Sequence, residues 1–172
     1  MSAEAADSKK PVLDPENTIY LDLPAGRVVI QLRPDLAPEH VKRIKELTRQ
    51  GFYNGLTFHR VIPGFMAQTG DPRGDGTGGS GKHLKAEFSS APHVRGTASM
   101  ARANDPNSAD SQFFICFDNA SFLDNKYTVW GQVVSGMEFV DKIKMGSQAN
   151  NGKVDDPTKI VKMQVAADVK EK

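Results

Sequence analysis

Apolar and polar residues alternate from Thr18 to Leu23 and again from Arg27 to Leu32, with Pro24-Ala25-Gly26 between the two runs. Period-two alternation on both sides of a short turn predicts a β-hairpin. At Pro38 the period changes. Val41, Ile44, Lys45 and Leu47 form a partly apolar stripe at helical spacing, opened by a proline and stopped near Gly51, so an amphipathic helix covering a sheet is expected. The stretch from Phe58 to Asp71, FHRVIPGFMAQTGD, fits neither period throughout. Pro63-Gly64 interrupts any helix and leaves two short strands meeting at a kink. Period two then puts Phe58, Arg60 and Ile62 on one face and Met66 with Gln68 on one face, and the kink can bring Arg60 and Gln68 to one spot beside apolar side chains. The same residues also suit an arginine snorkelling from an exposed strand and a glutamine facing water.

Downstream, a glycine-rich loop runs from Gly70 to Gly81, and short apolar pieces punctuated by Pro92, Gly96 and Asp105-Pro106 read as short strands. Ser111 to Phe117, SQFFICF, is a strand with Gln112, Phe114 and Cys116 on one face, and Tyr127 to Val134 is another. Ser135 with Glu138 three residues later is a capping-box pattern, and Phe139, Val140 and Ile143 continue it as a second helix up to Gly146. Ile160 to Val165 alternates as a closing strand. Many short strands with two isolated helices predict an all-β antiparallel barrel rather than βαβ units. Residues 1–16 read as a flexible arm, 17–168 as one domain and 169–172 as a charged tail.

Composition narrows the function more than the fold. At 172 residues, 38% hydrophobic and 25% charged, the chain suits one domain with a sizeable core. A formal net charge of +1 and a pI near 7.8 supply no global attraction to nucleic acid or anionic lipid, so neither is expected as a partner. Cys116 is the only cysteine, which excludes an intramolecular disulfide and suits a reducing compartment, and its apolar neighbours imply a buried, inert thiol. Nothing resembles a signal peptide or a membrane span, so a cytoplasmic protein is expected.

Three motifs invite nucleotide or metal chemistry and fail on local grounds. Gly74-x-Gly76-x-x-Gly79 has the dinucleotide spacing but opens no helix, and is read as a flexible loop. Gly76 to Lys82 resembles a phosphate-binding loop but has His83 where a magnesium-binding Ser or Thr is required. Asp71 and Asp75 begin an EF-hand-like run that Arg73 and Lys82 break. His40, His59, His83 and His93 lack the spacing of a zinc site and are read as structural or solvent-facing. There is no Gly-x-Ser-x-Gly nucleophile and no evident carboxylate pair. No metal and no cofactor are expected.

FHRVIPGFMAQTGD, followed in order by GDGTGG, SMARA, SQFFIC, FLDNKYTVWGQV and SGMEFVDKI, resembles the cyclophilin family of peptidyl-prolyl isomerases from about Ile19 to Val165. The resemblance implies a closed eight-stranded antiparallel barrel capped by two helices, and a protein that accelerates rotation about X-Pro bonds in peptides and in folding client proteins. It assigns Arg60 as catalytic with Gln68 orienting it, and Phe65, Met66, Phe114 and Leu123 as the proline pocket lined also by Gln112. Ala101, Arg102 and Ala103 match the segment whose backbone holds the peptide, and Gly76 and Thr77 match the loop flanking a neighbouring pocket. A non-catalytic proline-peptide binding module would share that pocket, but could replace Arg60 at little cost.

The chain departs from the family pattern at three positions. Arg102 stands where many members have Asn, Phe122 where eukaryotic members commonly have Trp, and Tyr127 where they often have His, the tyrosine being similar to bacterial members. Cyclosporin binding is therefore expected to be weak, because phenylalanine lacks the indole N–H donor. The long charged side chain of Arg102 leaves the residues preferred beside proline open. A monomer is expected.

Overall fold

The computed structural model describes residues 14–169. Eight antiparallel strands form one sheet: β1 (Thr18–Leu23), β2 (Gly26–Leu32), β3 (Arg60–Ile62), β4 (Met66–Thr69), β5 (Thr97–Met100), β6 (Phe113–Cys116), β7 (Val129–Ser135) and β8 (Lys162–Val165). Their order is β3-β4-β6-β5-β7-β2-β1-β8. The expected closure is absent: the sheet is an open half-barrel, with β3 and β8 at its two edges. The reason lies in the chain between them. Asn151 and Asp156 take left-handed φ values of 56° and 52°, so this segment forms isolated antiparallel bridges, Arg60 with Lys153 and Thr57 with Lys159, and no continuous strand. It nevertheless satisfies β3 and the chain leading into it, since Val61 N–H donates to Gly152 O (2.8 Å) and Phe58 N–H, just before the strand, to Thr158 O (2.9 Å). An edge covered by irregular chain needs no partner strand.

The first hairpin forms as its alternation dictates, with Ile19, Leu21, Val28 and Ile30 wholly buried and Asp22 and Arg27 opposed at the turn in a 2.8 Å ion pair. The helix α1 (Pro38–Arg49) buries Val41, Ile44 and Leu47 against the main core. Its N-terminus is capped from far along the chain: the N–H groups of Glu39 and His40 donate to the Glu87 carboxylate at 3.2 and 2.9 Å, and His40 Nδ1 lies 2.6 Å from the same group. The second helix, α2, is only Met137–Val140. Ser135 cannot cap it, because Ser135 is paired with Val29 as the last residue of β7; Gly136 stands at the cap instead, with φ +86°. A Cβ there would collide with the Arg27 carbonyl.

Residues 1–13 of the expected arm and residues 170–172 of the tail lie outside the described residues. The last part of the arm is packed onto the domain. Asp14 caps a 3-10 turn (Pro15–Asn17), and Lys45 and Arg49 bind the Glu16 carboxylate, holding its pKa at about 2. Among the described residues no helix is long and apolar enough to cross a membrane.

Candidate active site

Strands β4 and β6 are buried on both faces, and alternation divides their side chains between two clusters. Ala67, Phe113 and Ile115 enter the main core with Trp130 and Phe58, whereas Met66, Phe114 and Cys116 join Leu123 in a second cluster flanked by Phe65, Ala101 and Tyr127. Burial pushes the Cys116 thiol up to about 12, as an inert thiol requires. The register then fixes the polar neighbours. Arg60 lies opposite Gln68 on β3 and β4, Gln68 opposite Phe114 on β6, and Phe114 opposite Ser99 on β5. Directly opposed residues share a face, so a guanidinium, a carboxamide and a phenyl ring stand in one row across the sheet.

The kink at Pro63-Gly64 is a tight turn, closed by Phe65 N–H donating to Ile62 O at 3.0 Å, with Gly64 at φ +74°. One part of the alternation fails: Phe58 turns into the main core while Arg60 faces the site, because residues 58 and 59 precede the strand and do not keep its period. His59, between them, is buried.

Arg60 is held from both sides. Nη1 donates to Gln68 Oε1 (3.0 Å), Nε donates to the Asn151 carbonyl (3.1 Å) and Nη2 to Asn151 Oδ1 (3.2 Å). The chain of bonds continues, for Gln68 Nε2 donates to Gln112 Oε1 (2.8 Å), and Gln112 Nε2 donates to the carbonyls of Gly78 (2.9 Å) and Gly76 (3.1 Å). Burial lowers the Arg60 pKa and nearby Tyr127 opposes that shift; an arginine starts so far above neutrality that it stays charged.

Three cavities meet at Gln68, and two of them hold the residues expected from the sequence. The first, about 420 Å³, is walled by Phe65, Met66, Ala101, Phe114, Phe122, Leu123 and Tyr127, with Arg60 and Arg102 on its rim. Phe122 is 63% exposed and its ring lies 5.3 Å from that of Phe65. The second, about 290 Å³, is lined by Gly76, Thr77, Ala101, Arg102, Ala103 and Gln112. Every site residue expected from the sequence thus borders one of these spaces.

The glycine-rich loop is irregular but pinned. Asp71 accepts N–H groups from Arg73 (2.8 Å) and Asp75 (3.0 Å), and Asp110 accepts those of Ser80 (2.7 Å), Gly81 (3.0 Å) and Lys82 (3.2 Å). Burial pushes the Asp71 carboxyl up, and the N–H groups of Arg73, Gly76, Gly78 and Asp75 together outweigh it, so the group is held low. Carboxylates of the protein itself occupy the donors that a bound phosphate would need. Among the described residues no three His, Cys, Asp or Glu side chains gather as a metal-binding group.

Of two supporting residues, Asn151 escaped the sequence reading, and His93 was expected only as structural or solvent-facing. Asn151 comes from a turn whose only local signal is Asn-Asn-Gly. His93 sits beneath Phe114, its ring stacked at 6.2 Å, with Nε2 2.9 Å from Ser99 Oγ and Nδ1 3.1 Å from the Asp124 carboxylate. Its partners come from three separate segments, so no spacing rule could have found them.

A family profile described as cyclophilin type peptidyl-prolyl cis-trans isomerase/CLD matches residues 18–165. A probable peptidyl-prolyl cis-trans isomerase of Brucella suis is 59% identical over 169 residues, covering 91% of this chain and 86% of that protein. Peptidyl-prolyl cis-trans isomerase B of Bacillus subtilis is 43% identical over 123 residues, covering 70% and 85%. Among solved structures, the cyclophilin AquaCyp293 of Hirschia baltica superposes with a TM-score of 0.84 at 27% identity, over 99% of this chain and 83% of that one. A cyclophilin type peptidyl-prolyl cis-trans isomerase of Cryptosporidium parvum, crystallised in the presence of the dipeptide Ala-Pro, gives 0.79 at 27%, over 86% and 98%. With an eight-stranded half-barrel, a row of Arg60, Gln68 and Phe114, and a family profile spanning nearly all the described residues, this chain belongs to the cyclophilin-type peptidyl-prolyl cis-trans isomerases.

Proposed function

We propose that Arg60 is the catalytic residue of this isomerase and that the 420 Å³ cavity receives the proline ring. The observation that carries the reading is the held guanidinium at the edge of an apolar space. An X-Pro bond resists rotation because the nitrogen lone pair is shared with the carbonyl; the barrier is roughly 18–20 kcal/mol and spontaneous exchange takes tens to hundreds of seconds. In the twisted state the prolyl nitrogen becomes pyramidal and its lone pair is free to accept a hydrogen bond. A guanidinium carries five N–H groups. Three are used on Gln68 and Asn151, which leaves one on each terminal nitrogen for the substrate while the planar fork is fixed in direction. A donor that meets the lone pair only in the twisted state stabilises the transition state more than the ground state, and apolar walls strengthen it by lowering the local dielectric. For a turnover of order 100 s⁻¹ against a background near 0.01 s⁻¹, roughly 5–6 kcal/mol is needed. One charge-assisted bond together with an anchored proline is of that size.

The peptide backbone has its own partner. Among the described residues, neither the N–H nor the carbonyl of Arg102 engages another main-chain group, although Ala101 N–H before it donates to Gln112 O at 3.0 Å. An extended peptide can therefore pair with the main chain at Arg102 as an added strand. Its next side chain points toward the second cavity beside Gly76, Thr77 and Ala103. The substrates inferred are proline-containing segments of peptides and client proteins, with cyclosporin as a weak ligand. The sole, buried cysteine suits a reducing compartment, and we place the activity in the cytoplasm.

Exchange spectroscopy on a saturating X-Pro peptide tests the assignment, because it reads binding and interconversion in one sample. Arg60→Ala keeps the apolar walls, so affinity should weaken only modestly while interconversion falls about 10²–10³-fold, corresponding to roughly 3–4 kcal/mol. Arg60→Lys should recover little, since an ammonium lacks the planar fork. Wild-type interconversion in Arg60→Ala would remove Arg60 from the chemistry and leave the pocket as a binding site.

A further inference from the structure

We propose that Arg102 is a positioning residue that clamps the mouth of the proline cavity and sets peptide affinity without taking part in bond rotation. The proposal rests on the site assigned above. Its guanidinium donates from Nη2 and Nε to the Lys126 carbonyl at 2.7 and 3.0 Å, and from Nη1 to the carbonyls of Ala103 (2.9 Å) and Asn104 (3.3 Å). It also lies 4.6 Å from the centroid of the Tyr127 ring. These contacts extend, past the end of the β5–β7 pairing where Met100 N–H donates to Thr128 O at 2.9 Å, the tie between two walls that are remote in sequence. One is the 101–104 segment after β5, whose main chain is free at Arg102; the other is the 122–127 segment, which carries Phe122, Leu123 and Tyr127. The fork reaches both at once because its donors are rigidly splayed in one plane, which neither an asparagine nor a lysine side chain can reproduce.

The clamp also accounts for the charge. A lone guanidinium over an apolar pocket would select acidic neighbours of proline, but here the donors are directed onto backbone carbonyls and one face is covered by an aromatic ring. Arg102 therefore fixes the width of the mouth, and it keeps its own N–H and carbonyl presented to an incoming strand. Losing it would loosen the ground-state and transition-state complexes alike, which appears in affinity and not in the rate of the bound peptide.

The experiment compares full-length wild type, Arg102→Ala and Arg102→Lys with one X-Pro peptide titrated through saturation, reading Kd and the interconversion rate of bound peptide by exchange spectroscopy. Kd should rise about tenfold in Arg102→Ala, Arg102→Lys should resemble Arg102→Ala, and any loss of bound-state rate in either should be far smaller than that of Arg60→Ala. Melting temperature is measured in parallel, because a residue serving only to stabilise the fold would lower it and leave the Kd of the folded protein unmoved. Unchanged Kd in Arg102→Ala, full recovery in Arg102→Lys, or a fall in bound-state rate as large as that of Arg60→Ala would each overturn the clamp. Absence of interconversion in the wild type would instead overturn the reading of the site itself.

Discussion

Single side chains at this site can be tested one at a time, and Phe122 is a clear case. Its ring is largely exposed, leans on Phe65 and carries no donor. A ligand that offers an acceptor at the rim therefore gains contact area from Phe122 but no hydrogen bond. Phe122→Trp restores an indole N–H at that place, and one hydrogen bond to a partly buried ligand group is worth about 1–3 kcal/mol. Cyclosporin should bind the variant several-fold or more tightly, as titration calorimetry would measure. Equal affinities would mean that the indole direction is not reproduced on this backbone. Much at this scale was legible in the sequence, since Arg60, Gln68, Phe65, Met66, Phe114 and Leu123 all border the cavity they were assigned to. What was illegible has a common cause. Asn151 and His93 act through hydrogen bonds and stacking across long separations, and a linear pattern records neither.

At the scale of elements, strands were readable where alternation met burial, and helices were readable only in part. The first hairpin and SQFFICF needed nothing beyond period two. The second helix misled because Ser135 and Glu138 have capping-box spacing, but the ladder to β2 claims Ser135 first. Tertiary pairing outweighs a local cap worth about 1 kcal/mol. The first helix shows the converse: its start was readable from Pro38 but its cap was not, because Glu87 arrives from a remote loop. Glu87→Ala leaves the two helix N–H groups without their protein acceptor and removes the partner of buried His40. A loss of about 1–3 kcal/mol in unfolding free energy is expected by denaturant titration, with Glu87→Gln recovering part of it. An unchanged midpoint would show that water serves the helix end as well as the carboxylate does.

For the whole molecule, the expected closed barrel and the observed half-barrel differ only in the 151–160 segment. Counting strands does not reveal whether the outermost two meet; that depends on Asn151 and Asp156 bending the chain between them. The bend serves the site, because the same Asn151 that interrupts a strand holds Arg60. The open edge of the sheet and the hold on Arg60 thus depend on one irregular segment, which is also the part that periodicity reads least well.

Three buried histidines give the molecule a pH response that should separate stability from turnover. Burial lowers the pKa of His40, with Glu87 opposing; of His59, with Asp71 the strongest opposing group; and of His93, with Asp124 opposing. Each folded-state value lies below the ordinary 6.5, so between the two values the unfolded chain binds the proton and the folded chain does not. Stability from these groups is therefore fully present above pH 6.5 and declines as pH falls below it. Turnover should behave differently. Arg60 remains charged, Gln68 and Gln112 are neutral amides, and burial lowers the pKa of His59 and His93 from 6.5, so the bound-state rate should be flat from about pH 7 to 8 and need not follow the loss of stability below that. The peptide must be non-titrating. Denaturant titrations at pH 7 and 5 alongside exchange spectroscopy from pH 7 to 8 give both curves. Equal stability at the two pH values would mean that the histidines are solvated well enough to protonate in place, and a bell-shaped rate profile would reveal an acid or base that the row of Arg60, Gln68 and Phe114 does not contain.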